Sequence, residues 1–141
     1  MKKINKKGFT LVELLAVIVI LGVLLLIAVP SVNNIITNSR KKAFLSQVKL
    51  AVENVQTTAS IEKESISGTC YIKISDIDLD RGVWSNNTGY IEVKKTTSGD
   101  LEIKPYVSDN SKKFSVNGTA DKLDDSYAIK GDKNTSCSWY K

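Results

Sequence analysis

The chain has 141 residues, a formal net charge of +5 and a hydrophobic content of 42%, but it contains no histidine and only two cysteines. These residues supply the commonest metal ligands and general bases, so their scarcity argues against an enzyme and against a protein that holds a metal or a cofactor. The length leaves room for one modest domain beside a membrane segment.

Four lysines precede a long apolar segment near the N-terminus: Lys2, Lys3, Lys6 and Lys7. By the positive-inside rule they hold this end of the chain in the cytoplasm. They also supply most of the net positive charge, so a chain without them would be close to neutral. The basic isoelectric point therefore does not by itself indicate a nucleic-acid-binding protein.

The segment from Phe9 to Val29 is apolar except for Glu13. A helix of that length is about 30 Å long, which matches the hydrocarbon thickness of a bilayer, so we expect it to span a membrane. Gly22, in the middle of the segment, is a weak point for a helix.

The junction between the lysines and the apolar segment consists of a small residue, Gly8, followed by the large Phe9. In a secretory signal peptide the small-residue cleavage site follows the apolar segment, whereas here it precedes it. Cleavage after Gly8 would remove the lysines and keep the helix.

Glu13 is costly inside an apolar segment unless it has a partner. Cleavage after Gly8 would create an amine at Phe9, four residues earlier and on the same helix face, and the amine of a neighbouring subunit could serve equally. Glu13 is thus a candidate for subunit docking and register. The alternative is that it lies near the end of the span and extends its carboxylate to the interface.

The segment KKGFTLVELL, at residues 6–15, resembles the class III signal of type IV prepilins and related pseudopilins. Every position from Gly8 to Glu13 matches that pattern, and Pro30 stands where the family has its helix-kinking proline. The motif covers roughly the first thirty residues, and beyond Pro30 the resemblance is one of layout only. It implies cleavage between Gly8 and Phe9 by a prepilin peptidase, N-methylation of Phe9 and a role for Glu13 in assembly.

Apolar residues recur at intervals of three and four from Ser31 to Glu62, which predicts an amphipathic helix that continues out of the membrane. Pro30 lies inside this pattern and predicts a kink, with two separate helices as the alternative. We place the end of the helix near Ser65. The basic residues Arg40 to Lys42 form either a solvated face or a contact with lipid headgroups or a neighbour.

After Gly68 the apolar residues alternate, which predicts short strands. The Ser98-Gly99-Asp100 and Asn117-Gly118 turns favour antiparallel pairing, and the apolar face of such a sheet can cover the amphipathic helix. The predicted strands are Thr69–Ile74, Gly89–Thr96, Leu101–Ser108, Lys112–Val116, Tyr127–Ile129 and Ser136–Tyr140.

The two cysteines, Cys70 and Cys137, both follow the predicted span. With the N-terminus inside, they are exported to a compartment where disulfides persist, so we expect them to be joined. The alternative is a pair of unrelated buried thiols.

Three further patterns allow a functional interpretation and a structural one. Asp76, Asp78 and Asp80 are spaced like the start of a calcium loop, but Gly82 falls one residue late and Asn87 stands where the loop needs its closing glutamate, so a turn or an edge is the better interpretation. For the aromatic residues, a place in the core is the better interpretation, and an adhesive surface is the alternative. The lysine pairs are either solvated or, in a competence filament, in contact with DNA. The aromatic residues are Trp84, Tyr90, Tyr106, Trp139 and Tyr140, and the lysine pairs are Lys94 with Lys95 and Lys112 with Lys113.

We therefore expect an α+β fold with a leader at 1–8, a membrane and assembly helix at 9–30, its amphipathic continuation at 31–65 and a β-rich head at 66–141. Glu13, Gly22 and Pro30 are the expected assembly residues. The resemblance implies a non-enzymatic subunit of a type IV pilus for adhesion, motility or aggregation, held in the cell membrane before assembly and in an extracellular filament afterwards. Its implied partners are further pilins, the peptidase, a platform protein and an assembly ATPase.

Two alternatives remain open. The first is a pseudopilin of a type II secretion or competence apparatus, which alone would involve nucleic acid. The second is a membrane-anchored ectodomain with an uncleaved signal anchor.

Overall fold

The computed structural model describes residues 8–79, 87–111, 113–124, 129 and 135–140. One long helix, α1, is followed by a sheet, with short 3-10 turns at Lys63–Ser65 and Ile74–Asp76. The bounds are Leu11–Ile61 for α1, then Thr69–Lys73 (β1), Thr88–Lys95 (β2), Leu101–Ser108 (β3), Ser115–Asn117 (β4) and Leu123–Asp124 (β5).

The chain divides into two compact units, residues 1–39 and residues 40–141. In the first unit every large apolar side chain from Phe9 to Ile36 is exposed. Among the described residues α1 is the one helix long and apolar enough to cross a membrane. It is a single helix through Pro30, so the alternative of two helices meeting there is wrong.

In the second unit, α1 buries one stripe of its surface. The buried residues are spaced by three or four, and each is at most 4% exposed: Phe44, Val48, Ala51, Val55 and Ala59. This stripe is the predicted apolar face from Phe44 onward. Val32, Ile35 and Ile36, which the same periodicity assigned to that face, are exposed and lie in the first unit.

The sheet has the order β1-β2-β3-β4-β5, and every neighbouring pair is antiparallel. The β2–β3 hairpin turns at Gly99, whose φ is +87°, and the turn after β4 uses Gly118 at φ +90°. Both are turns that the sequence predicted. The antiparallel α+β class is therefore confirmed.

The core lies between the second half of α1 and one face of the sheet. The sheet contributes alternate residues, among them Ile72, Ile91, Val93, Val107 and Val116, each at most 2% exposed. Each such side chain stabilises the fold by about 1.5–3 kcal/mol. Phe44 of α1 meets Phe114 edge to face, with ring centroids 5.2 Å apart.

The predicted strand at Lys112–Val116 is displaced, because β4 is Ser115–Asn117. The backbone N–H groups of Lys113 and Phe114 donate to the Asp109 carboxylate at 2.9 and 3.2 Å, so the start of this segment is a turn and not a ladder. Lys112 lies outside the described residues.

The predicted strand at Ser136–Tyr140 is wrong. Ser136 makes one parallel bridge with Tyr71, and the chain then turns, with the Tyr140 N–H donating to the Cys137 carbonyl at 3.2 Å. β5, at Leu123–Asp124, was not predicted. Of the predicted strand Tyr127–Ile129, residues 127 and 128 lie outside the described part of the chain, and Ile129 lies in no strand. α1 ends at Ile61, four residues before the predicted end, and the Lys63–Ser65 turn occupies part of the difference.

Candidate processing and assembly site

The junction that the sequence predicts for cleavage precedes α1. Gly8 and Phe9 are exposed and lie in neither a helix nor a strand, and Phe9 is 87% exposed. Apart from the chain neighbours of Gly8, no atom of the described residues lies within 4 Å of the place where a Cβ on Gly8 would stand. Exposed, irregular backbone of this kind is where proteases act most readily.

Glu13 lies in the first turn of α1, three residues after Thr10, which caps the helix. The Thr10 backbone N–H and the Thr10 hydroxyl each donate to the same Glu13 carboxylate oxygen, Oε2, at 2.8 Å. In return the Glu13 backbone N–H donates to the Thr10 hydroxyl oxygen at 3.3 Å. This reciprocal arrangement is a capping box, which satisfies donors that a helix N-terminus would otherwise leave unpaired.

Glu13 was predicted from the sequence as an assembly residue, whereas Thr10 had no predicted role. The signal that could have found it is the spacing T-x-x-E just before an apolar run. In the unprocessed chain Phe9 has no free amine, so the partner of Glu13 is Thr10. The pairing of Glu13 with an amine stays a prediction about the processed chain.

Gly22 and Pro30 both lie inside α1. A Cβ built on Gly22 meets nothing within 4 Å. Glycine at this position therefore relieves no crowding against the rest of the described chain, and the predicted assembly roles of both residues stay predictions.

Cys70 and Cys137 form the predicted disulfide, with Cα atoms 5.0 Å apart and exposures of 8% and 4%. The bond joins β1, at one edge of the sheet, to the C-terminal segment. Beside it the Tyr71 N–H donates to the Thr135 carbonyl at 2.9 Å, and the Cys137 N–H donates to the Tyr71 carbonyl at 3.1 Å. The segment from Thr135 to Cys137 therefore lies along the open edge of β1.

The aspartates of the calcium-like pattern do not form a site in the described residues. Asp76 ends a 3-10 turn and Asp78 is exposed, while Asp80 lies outside the described part of the chain. No group of three histidine, cysteine, aspartate or glutamate side chains able to hold a metal is found where the structure describes the chain.

Most of the aromatic residues fill space. Tyr90 is 7% exposed and packs edge to face against Tyr71 and at a tilt against Tyr106, with ring centroids 5.3 and 5.1 Å away. Trp139 and Tyr140 pack against the core, and the Tyr140 hydroxyl donates to Asn54 Oδ1 of α1 at 2.9 Å. Burial, followed by the negative charges of Asp78 and Asp76, raises the pKa of Tyr140. Trp84 lies outside the described residues.

The described lysines weighed for DNA contact differ in their surroundings. Lys94 and Lys113 are exposed, whereas Lys95 Nζ donates to the Lys63 carbonyl at 2.8 Å, beyond the end of α1. Arg40 and Lys42 are exposed on α1.

Comparison with known proteins gives two matches. A family model described as the prokaryotic N-terminal methylation motif matches residues 3–29. The type IV major fimbrial protein FimA of Dichelobacter nodosus is 36% identical over 67 residues, which cover 48% of this chain and 42% of that protein. The match thus spans less than half the length of this relative. No solved structure matches.

Proposed function

We propose that this chain, a type IV pilin-like protein with an N-terminal methylation motif at residues 3–29, is a structural subunit of a type IV pilus. One observation carries the proposal: an exposed Gly8–Phe9 junction stands directly before a helix whose first turn holds Glu13 and whose next turns are apolar. The fimbrial relative favours a pilus over a secretion or competence pseudopilus.

In this proposal a prepilin peptidase in the cell membrane cuts the bond between Gly8 and Phe9, and the new amine of Phe9 is methylated. The cut removes the lysines and leaves the apolar half of α1 in the bilayer. Assembly then moves that helix from lipid to the apolar helices of neighbouring copies in an extracellular filament. The exposed apolar side chains from Phe9 to Ile36 suit both environments.

Neighbouring copies in such a filament meet through two different surfaces, because only a heterologous interface can continue without closing. Glu13 would pair with the amine of Phe9 in its own chain or in a neighbour, with Gly22 and Pro30 as further assembly residues. Other pilins, a platform protein and an assembly ATPase are the proposed partners.

Mass spectrometry of the mature N-terminus tests the processing step. The expected mature chain begins at a methylated Phe9 and lacks the first eight residues. A mature chain that begins at Met1 or Lys2 would contradict the proposal and favour the ectodomain with an uncleaved anchor. Deletion of the gene separates a pilus from a pseudopilus. Loss of surface pili would favour the pilus, whereas loss of transformation or of the secretion of one protein would favour the pseudopilus.

The Glu13→Val variant tests the assembly step. We expect it to enter the membrane and to be cleaved, but to give at least about tenfold fewer filaments, because a paired charge in a region of low dielectric is lost. Filaments sheared from cells and quantified against the membrane-bound chain measure this. Ile18→Val, an apolar exchange one turn and a half further along α1, is the control, and a normal filament yield from Glu13→Val would remove Glu13 from assembly.

A further inference from the structure

The capping box gives Glu13 a partner before any cleavage takes place. Both Thr10 donors bind the same carboxylate oxygen at 2.8 Å, within one turn of the same chain. The cost of placing an acid in the apolar helix is therefore partly offset in the unprocessed chain, since two hydrogen bonds satisfy one of the two carboxylate oxygens.

The capping box also fixes where the carboxylate lies. A glutamate side chain has several rotatable bonds and loses freedom when one arrangement is selected. Here the arrangement selected holds the carboxylate against the backbone N–H of Thr10. Thr10 is bonded directly to Phe9, so the carboxylate is held at the end of the chain where the proposed amine forms.

The hydroxyl is the part of Thr10 that makes the box reciprocal. It donates to Glu13 Oε2 and accepts from the Glu13 N–H at 3.3 Å. Serine keeps both functions. Valine has the same shape as threonine but keeps neither, and glycine lacks the hydroxyl although it begins a helix almost as well as threonine does.

We propose that Thr10 is a positioning residue for Glu13: its hydroxyl holds the carboxylate at the start of α1, ready for the amine with which Glu13 pairs during assembly. This inference rests on the proposed function. It assigns to Thr10 a task distinct from starting the helix, and it predicts that the two tasks can be separated.

The first experiment measures the capping box itself in the full unprocessed chain in detergent micelles, by amide hydrogen exchange followed with NMR. We expect Thr10→Val to speed exchange at the amide of Glu13 and of residue 10 by about tenfold, and Thr10→Ser to leave both within about twofold of the original. Thr37→Val is the matched control, because the Thr37 hydroxyl donates to the Asn33 carbonyl of the same helix at 2.9 Å and does not contact Glu13. Unchanged exchange in Thr10→Val would overturn the proposal.

The second experiment measures filament yield in cells, with the mature N-terminus of each variant checked by mass spectrometry. We expect Thr10→Gly and Thr10→Val each to lower the yield at least about threefold, with cleavage intact, and Thr10→Ser and Thr37→Val to keep it. A full yield from Thr10→Gly would show that Thr10 only begins the helix, and uncleaved Thr10→Gly chains would show that it acts in processing. Either result overturns the positioning role.

The two experiments also separate this inference from the proposed function. If the original chain is never cleaved and forms no filament, the proposed function fails, while hydrogen exchange still reports whether Thr10 holds Glu13. If the original chain forms filaments and Thr10→Gly does so equally well, only the positioning role fails.

Discussion

At Gly89 the backbone of β2 passes so close to β3 that no side chain fits. A Cβ built there would lie 2.1 Å from the Tyr106 carbonyl oxygen and 3.0 Å from the Val107 Cα, and the φ of Gly89 is +132°. The neighbouring atoms belong to the backbone of a paired strand, so they cannot move aside without breaking the ladder. Both the steric contact and the positive φ therefore require glycine.

Gly89→Ala is expected to lower the free energy of unfolding by at least about 3 kcal/mol. Gly99→Ala is the matched control, because Gly99 also has a positive φ, +87°, but a Cβ there meets nothing within 4 Å. Strain alone should cost the control about 1 kcal/mol. Urea unfolding of the full chain in detergent, followed by tryptophan fluorescence, measures both, and equal losses would show that the close contact with β3 is not decisive.

At the residue scale, the sequence predicts best where chemistry restricts the choice. Glu13 is the one charge in an apolar run, and two cysteines allow one intramolecular pairing, so each could be singled out without coordinates. Asp109 could not be. Although it is only 8% exposed, its role depends on which backbone N–H groups the turn brings to it.

Hydrogen bonds also outweigh burial in setting the pKa of that acid. Burial alone would raise the pKa of Asp109, but hydrogen bonds from the Ser111 hydroxyl and from the backbone N–H groups of Lys113, Phe114 and Ser111 outweigh burial and lower it. The carboxylate is thus held ionised in a turn whose existence the alternation of apolar residues did not indicate.

At the element scale, β1 is an edge strand that the C-terminal segment covers. The Cys70–Cys137 bond holds that segment in place, and the two backbone hydrogen bonds at Tyr71 lie directly beside it. Edge strands with unpaired backbone groups are sites of unwanted pairing between chains. The disulfide therefore protects the edge as well as restricting the unfolded chain.

Replacing both cysteines by serine is expected to lower the free energy of unfolding by about 4 kcal/mol in the chain-entropy model, because the closed loop is long. The Tyr71 amide should also exchange its hydrogen faster, since Thr135 is no longer held beside it. Urea unfolding and hydrogen exchange of the full chain measure these effects, with Ser138→Ala, an exposed neighbour, as the control. A variant as stable as the original, with Tyr71 still protected, would refute this account of the edge.

Long elements were predictable and short ones were not. β1, β2 and β3 each show an alternation long enough to be distinguished, and the predicted bounds of β3 are those observed. β5 has two residues and β4 three, so neither is long enough for an alternation with a period of two to be distinguished from chance. Their positions depend on the pairing of β4 with β3, on the pairing of β5 with β4 and on the Asp109 turn, none of which the alternation of apolar residues reports.

At the scale of the whole molecule, the two compact units differ in how they are stabilised. The unit formed by residues 40–141 contains the entire hydrophobic core of the described residues, whose first member in the chain is Phe44. The unit formed by residues 1–39 buries no large apolar side chain of its own in the described part of the chain. Its apolar surface has to be covered by lipid, detergent or other copies.

A chain shortened to residues 37–141 is therefore expected to fold without detergent and to remain monomeric. Asn38 and Ser39 would stand at the new helix start, and both are favourable N-cap residues. Because the core is unchanged, its free energy of unfolding should equal that of the full chain within about 0.5 kcal/mol, and it should form no filaments. Analytical ultracentrifugation and urea unfolding measure this.

The same shortened chain with Val48→Asp should fail to fold, because Val48 is fully buried and an unpaired charge cannot replace it. If the shortened chain aggregated as that variant does, residues 1–36 would have to contribute to the core, and the division into an apolar assembly unit and a self-sufficient head would be refuted.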